Sequence, residues 1–273
     1  MKTYLRNLFE HYPRAAAESY HSFGWRGAYL ATCAFVFRSR PATISLPRFG
    51  AIQSRAEAIN LIDNFSLGEL RCEEVEHHLK TMPAAMIVDV GVNIGVTARW
   101  WLTLAPTTRV TGIDMFEEAL SFTSARIAEI GALDRWRPVC SAVGANDGRV
   151  TIHFTDALEG TSSVHDSRGR HERQVAVKSL DTLLSAERSD IALMKLDIEG
   201  SAGDALLGAR ETLARTDYVV VETHSTSETR DASLSLCAAG FELFRCFGRT
   251  MWWRHPRAPA ARVTTDNAGL DAR

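Results

Sequence analysis

Residues 87–95 read Ile-Val-Asp-Val-Gly-Val-Asn-Ile-Gly. The apolar run over residues 86–90 has the length of a buried strand. It breaks at Gly91, and a helical pattern, Val-Thr-Ala-Arg-Trp-Trp-Leu, starts directly after Gly95. Strand, small-residue turn and helix form the unit with which an open α/β sheet builds a ligand crevice at the carboxyl ends of its strands. Small residues let the backbone approach a ligand, and a helix start offers free N–H groups. The spacing Asp89-x-Gly91-x-Asn93-x-Gly95 is not the Gly-x-Gly-x-x-Gly of dinucleotide-binding folds.

The pattern repeats outward from this unit. After the helix over residues 96–104 come a strand at 109–113, a helix at 117–130 and a strand at 136–140. The turn Gly144-Ala-Asn-Asp-Gly148 opens a hairpin over 149–155 and 174–177. A helix at 180–186, a strand at 191–196, a helix at 202–214, a strand at 218–222 and a helix at 232–239 follow. Strands at 241–247 and 251–254 close the pattern. Alternating strands and helices predict an α/β fold with a doubly wound, mostly parallel sheet covered on both faces. The last two strands, joined by Gly248-Arg-Thr, predict an antiparallel edge hairpin. We expect three zones: an N-terminal helical and extended accessory segment (1–80), the α/β domain (81–255) and a polar, poorly ordered tail (256–273). The accessory segment carries a helical pattern over 25–38, a Pro-bounded extended piece at 41–47 and a second helical pattern over 70–79.

The 273 residues suffice for one large domain with an accessory segment. A hydrophobic fraction of 45% and a charged fraction of 23% are those of an ordinary soluble globular chain. A net charge of −2 supplies no global attraction to nucleic acid or acidic membranes. Cys33, Cys72, Cys140, Cys237 and Cys246 show no metal-type spacing, are odd in number and sit partly in apolar runs, so buried free thiols in a reducing cytoplasm are expected. The first 14 residues lack the apolar core of a signal peptide, and the run over 29–37 is shorter than the roughly 20 residues a bilayer span requires.

Candidate site residues gather at predicted strand ends. Asp114 lies 19 residues after Gly95, where an acidic residue accepts ribose hydroxyls; the same carboxylate suits capping of the next helix. Asp89 can hold turn N–H groups or an ammonium. Ser141 and Ala142 end the third strand, where backbone can flank a purine or simply turn. In Lys195-Leu-Asp197-Ile-Glu199, strand alternation places the three charges on one side. Buried charges are costly unless paired, so a functional Asp197 competes with a self-satisfied ionic network. His224, in Glu222-Thr-His224, projects into the same mouth, where an imidazole can take a proton near neutral pH. Asp-x-Glu with Glu-x-His can also hold a divalent cation, although no metal motif is matched and none is expected. Residues 159–173 are polar, basic and Gly-containing, which fits a mobile lid whose Arg168, Arg170 and Arg173 meet an anionic substrate or only solvent. Trp25, Arg26 and the run to Phe37 suggest a packing helix or a homo-oligomer surface.

Taken in order, Asp89-Val-Gly-Val-Asn-Ile-Gly95, Ala142-Val-Gly-Ala-Asn-Asp-Gly148, Gly160-Thr-Ser-Ser163, Val177-Lys-Ser-Leu-Asp-Thr-Leu183, Lys195-Leu-Asp-Ile-Glu-Gly200, Gly208-Ala209 and Val221-Glu-Thr-His224 resemble the FkbM-type family of S-adenosylmethionine (SAM)-dependent methyltransferases. The resemblance covers about residues 84–247. It implies a class I methyltransferase, Rossmann-like fold, with Asp89, Gly91, Asn93 and Gly95 at the methionine end of SAM and Asp114 at its ribose. Val92 stands where the family commonly has Ala, and Ile113-Asp114-Met115 where Phe-Glu-Pro is frequent. The activity implied is O-methylation of a hydroxyl on a sugar, glycan or secondary metabolite, with no nucleic acid partner. We expect Asp197 or His224 to act as base, and Glu199, Glu222, Ser163 and Arg168 to face the substrate. The rival readings are a SAM- or nucleoside-binding protein without turnover and an NAD-dependent oxidoreductase.

Overall fold

Met86–Val90, the strand of the opening motif, is an interior strand of a seven-stranded sheet. The computed structural model describes residues 11–158 and 169–258. The elements in chain order are helices α1 (Tyr12–Phe23) and α2 (Trp25–Ala31), hairpin strands β1 (Ile44–Leu46) and β2 (Gly50–Ile52), and helices α3 (Arg55–Leu61) and α4 (Glu73–Thr81). Then come β3 (Met86–Val90), α5 (Val96–Leu102), β4 (Arg109–Asp114), α6 (Glu117–Glu129), β5 (Trp136–Cys140), β6 (Ala142–Val143), β7 (Gly148–Phe154) and β8 (His171–Lys178). The chain continues through α7 (Leu180–Leu183), β9 (Ile191–Leu196), α8 (Ala202–Leu207), α9 (Arg210–Leu213), β10 (Thr216–Glu222), α10 (Thr226–Ala238), β11 (Glu242–Phe247) and β12 (Thr250–Arg254).

The sheet order is β11-β12-β10-β9-β3-β4-β5. All pairs from β10 to β5 are parallel, and β12 joins β10 and β11 antiparallel. Strand order reverses between β3 and β9, the switch point where such sheets open a crevice. The doubly wound architecture and its edge hairpin are as expected. Alternation explains the two layers: Ile87 packs into one core while Val88 and Val90 pack into the other. Likewise Tyr218 and Val220 face one layer and Val219 and Val221 the opposite one. The first layer is completed from outside the α/β region by Phe49, Leu61, Phe65 and Leu79. A fully buried pair fastens it: Arg99 on α5 donates to Glu57 Oε1 at 3.0 Å and to the carbonyls of Phe49 and Ala51.

Several expectations need correction. The helix expected over 202–214 breaks into α8 and α9 at Gly208, which approaches the Gly144 carbonyl too closely for any Cβ. The pattern over 25–38 gives α2 and then a π-helical turn over Thr32–Phe37, stopped by the left-handed Arg38. α10 starts six residues earlier than expected, because Ser225 caps it by accepting from Glu228 N. β8 begins at His171, within the segment expected to be a lid, and β6 pairs with it in a separate three-stranded sheet. Of the five cysteines only Cys33 and Cys72 are buried; Cys140, Cys237 and Cys246 are exposed, though all five are free. Residues 1–10, residues 159–168 of the expected lid, with Ser163 and Arg168, and residues 259–273 of the expected tail lie outside the described residues. Among the described residues no helix is long and apolar enough to cross a membrane.

Candidate functional site

The turn after β3 is wound by three left-handed residues at alternate positions: Gly91 (φ 81°), Asn93 (φ 51°) and Gly95 (φ 66°). A Cβ on Gly91 would lie 1.9 Å from the Asp197 carbonyl oxygen, and one on Gly95 would lie 2.2 Å from Thr123 Cγ2. Two glycines are therefore required by both conformation and space. Asn93 tolerates its φ as its residue type allows, and its carbonyl accepts from Thr123 Oγ1 at 3.2 Å.

Asp114 ends β4 beside this turn. Its Oδ2 accepts from Asn93 N and its Oδ1 from Phe116 N, both at 2.9 Å. The carboxylate thus pins the Gly-rich turn and the entry to α6, while each oxygen keeps a further lone pair. Burial pushes its pKa up, opposed by these N–H donors. Asp89 is fully buried, and neither of its oxygens makes a hydrogen bond among the described residues. It does not hold turn N–H groups. Its neighbour is the Lys195 ammonium at 3.3 Å, which opposes the upward pull of burial on the carboxyl. Ser141 and Ala142 are buried next to the end of β4, with Ser141 N bonded to the Asp114 carbonyl at 2.9 Å. The Ser141 hydroxyl is spent locally on the Ala142 carbonyl at 2.8 Å.

β9 ends at Leu196, so strand alternation does not extend to Glu199, whose φ is +26°. Lys195 points inward as a buried counter-ion, donating to the Gly91 carbonyl at 2.9 Å and lying 3.4 Å from Asp197 Oδ2. Its pKa rises: burial pulls it down, but Asp89 and Asp197 outweigh that pull. The three charges nevertheless meet at one place. His224 Nε2 is 3.4 Å from Asp197 Oδ1 and 3.9 Å from Glu222 Oε1, and Nδ1 is 3.2 Å from Glu199 Oε2. The Asp197 contact is an ion-pair distance without good hydrogen-bond geometry, and the Nε2 atom is buried. His224 is therefore no solvated loop residue. The adjacent Asp197 carboxylate raises its pKa, against burial and with help from Glu199 and Glu222. Burial opposes ionisation of Asp197, yet Lys195 and His224 prevail and hold it below the usual carboxylate range. Burial, Asp197 and Glu69 push Glu222 up to about 7.

Three members of this cluster escaped sequence reading. Glu69, from the segment before α4, faces it and bonds Thr250 Oγ1 at 3.2 Å. Arg249 reaches Glu222 Oε1 at 3.1 Å and His224 Nδ1 at 3.2 Å. Glu228 fixes the His224 backbone N–H at 2.7 Å and the Ala202 N–H at 3.1 Å. The Ser225-x-x-Glu228 spacing was the available signal; Glu69 and Arg249 carry none. Arg173, expected on a lid, is instead a strand residue locked to Glu118 at 2.6 and 2.9 Å and set against Phe154.

Asp197, Glu222 and His224 place one donor atom each within 4.8 Å of the others, a spacing that can hold a divalent cation. The Lys195 ammonium beside Asp197 competes for that charge. The other ligand suggested by the turn is an adenosyl sulfonium. The residues fit it: a buried Asp89 carboxylate under the turn whose oxygens are ion-paired to Lys195 but make no hydrogen bond among the described residues, glycines with no room for a Cβ, and a carboxylate at the end of β4.

A crevice at the switch point of this sheet, with a pinned small-residue turn on one side and a His–carboxylate cluster on the other, defines a doubly wound fold of the class I methyltransferase type. The chain belongs to the family defined by the methyltransferase FkbM domain, whose model matches residues 89–243, more than half of its length. It is 28% identical over 191 residues to the 2-O-methyltransferase NoeI of Sinorhizobium fredii (strain NBRC 101917 / NGR234), covering 61% of this chain and 76% of the relative. Among solved structures it is similar to a putative rRNA-methylase from Clostridium thermocellum (TM-score 0.42, 9% identity, 64% of this chain and 88% of the other). Fibrillarin from Aeropyrum pernix with bound S-adenosyl-L-methionine gives a TM-score of 0.41 at 11% identity, over 64% and 67% of the two chains.

Proposed function

We propose that this methyltransferase uses S-adenosyl-L-methionine to methylate a hydroxyl oxygen of a sugar, glycan or related polyhydroxylated acceptor. The observation that carries the reading is the contact between turn and cluster. Gly91 abuts the Asp197 carbonyl, so the cofactor turn and the His224–Asp197 pair share one crevice. The 2-O-methyltransferase similar to this chain supports oxygen as the methyl acceptor.

Asp89, Gly91, Asn93 and Gly95 would hold the methionine end of the cofactor, Asp114 its ribose, and the Ser141–Ala142 backbone would flank its adenine. When bound, the cofactor supplies an electrophilic sulfonium methyl. A neutral hydroxyl is a weak nucleophile, so a base must take its proton as the oxygen attacks. His224 takes that proton on its imidazole. Asp197 stabilises the resulting imidazolium, and Glu199 and Glu228 set the ring's orientation and backbone. Lys195 neutralises Asp89 and Asp197 from beneath. Glu222, with its pKa pushed up to about 7, accepts a hydrogen bond from the acceptor or receives the proton onward.

The test is calorimetry with SAM and S-adenosylhomocysteine, followed by transfer of a radiolabelled methyl group to a panel of sugars and glycans. Wild type is expected to bind both ligands and Asp114→Ala to bind them at least about tenfold more weakly. His224→Ala is expected to keep cofactor binding while losing about 10²–10⁴ in transfer rate. Cofactor binding with no methylated product would leave the crevice assignment and remove the catalytic one. Binding of neither ligand would remove both.

A further inference from the structure

A second cavity, outside the crevice, lies in the N-terminal segment. It encloses about 690 Å³ between the α1–α2 corner, the β1–β2 turn, the loop before α4 and the outer side of α5. Three arginines line it: Arg26, Arg48 and Arg71. The guanidiniums of Arg48 and Arg71 lie 4.9 and 4.8 Å from the centroid of the Trp100 ring, and that of Arg26 lies 5.7 Å from the ring of Trp25. Trp100 is buried and stacked on Phe49, so it forms a fixed floor. Its indole N–H has no hydrogen-bond partner among the described residues. Trp25 is 65% exposed at the rim and offers an open aromatic face.

The charge here is unusual for a chain of net charge −2. Arg71 pairs with Glu76 at 2.5 Å. Arg26 gives one hydrogen bond to the Ser45 carbonyl, and Arg48 has no carboxylate partner among the described residues. Three cations against one carboxylate leave a surplus of two charges. Guanidinium forks match phosphate oxygens in geometry, and a phosphate monoester carries up to two negative charges above its second pKa of about 6. Arg48 is held with φ +73°, a conformation uncommon outside glycine.

We propose that this arginine–tryptophan cavity binds the phosphate monoester of a phosphorylated sugar, with the phosphate on the guanidiniums and the sugar against Trp25. The site is separate from the crevice, and its ligand is assigned independently of the O-methyl transfer reading above. The test is calorimetric titration of the full chain with glucose 1-phosphate, inorganic phosphate and methyl glucoside, in wild type and in Arg48→Gln. The variant's melting temperature and SAM affinity serve as controls. Glucose 1-phosphate is expected to bind, methyl glucoside not to bind, and Arg48→Gln to weaken the ester about tenfold with both controls unchanged. Absence of glucose 1-phosphate binding at millimolar concentration in a chain that binds SAM overturns the proposal and leaves the methyl-transfer reading standing. Equal affinity in wild type and Arg48→Gln overturns it as well, by moving the phosphate elsewhere. Inorganic phosphate binding as tightly as the ester overturns the role given to Trp25. A chain that binds the ester but not SAM keeps the cavity assignment and sinks the methyl-transfer reading instead.

Discussion

Gly91→Ala separates the two reasons for a glycine in the turn after β3. The first is conformational: at φ +81° an L side chain costs roughly 1–2 kcal/mol. The second is steric. The new Cβ would stand 1.9 Å from the Asp197 carbonyl oxygen and 2.9 Å from its carbon, and these are backbone atoms that cannot rotate away. Forced repacking of this kind costs roughly 1–3 kcal/mol. The sum, roughly 2–5 kcal/mol, corresponds to a fall in melting temperature of roughly 5–15 °C for a chain of this size. Gly131→Ala is the control: its φ is +67°, but nothing lies within 4 Å of its Cβ position, so only the conformational cost applies. Calorimetric melts of both variants measure the difference. Because relief at Gly91 requires the loop after β9 to move, and a displacement of about 1 Å at a reacting centre can cost about 100-fold in rate, methyl transfer should fall far more than stability. If Gly91→Ala melted within a degree or so of Gly131→Ala and kept its turnover, the claimed contact between turn and Asp197 would be refuted.

The pH profile tests the base. His224 must be neutral to accept a proton, and the Asp197 carboxylate beside it raises its pKa above the ordinary value of about 6.5; kcat/KM should therefore rise with pH through that raised value. Glu199→Gln removes a negative charge 3.2 Å from Nδ1, so the rising limb should shift to lower pH; an unmoved limb would assign it to another group. Arg99→Met leaves the buried Glu57 with Arg126 Nε at 3.4 Å as its remaining cation, its Oε2 still held by the Gln53 and Ser54 N–H groups, and should destabilise the chain by about 3 kcal/mol, read by urea unfolding. Adding Glu57→Gln should recover part of that loss. EDTA should leave turnover unchanged, since Lys195 and His224 already balance Asp197; loss of activity restored by Mg²⁺ or Mn²⁺ would place an ion on Asp197, Glu222 and His224.

The sequence by itself determined the sheet and its crevice. A fully buried parallel strand must be apolar throughout, so β3 and β9 stand out as runs, and a left-handed turn must be built from Gly or Asn, so residues 91–95 announce it. It also placed Asp114, Asp197 and His224 at strand ends, because strand length alone fixes where a chain leaves a sheet. It did not reveal that Glu199 would reach His224 after the strand had already stopped, nor that Ser141 would spend its hydroxyl on its neighbour. Those outcomes depend on side-chain geometry after a turn, which periodicity does not encode. Only the tertiary structure decided the contributions from afar. Glu69, far earlier in the chain, acts on His224 by its charge, Arg249 reaches it from the edge hairpin, and Arg26, Arg48 and Arg71 line one cavity through helix packing. Such contacts join residues distant along the chain, and no local pattern can express them because the energy that brings them together is that of the folded core.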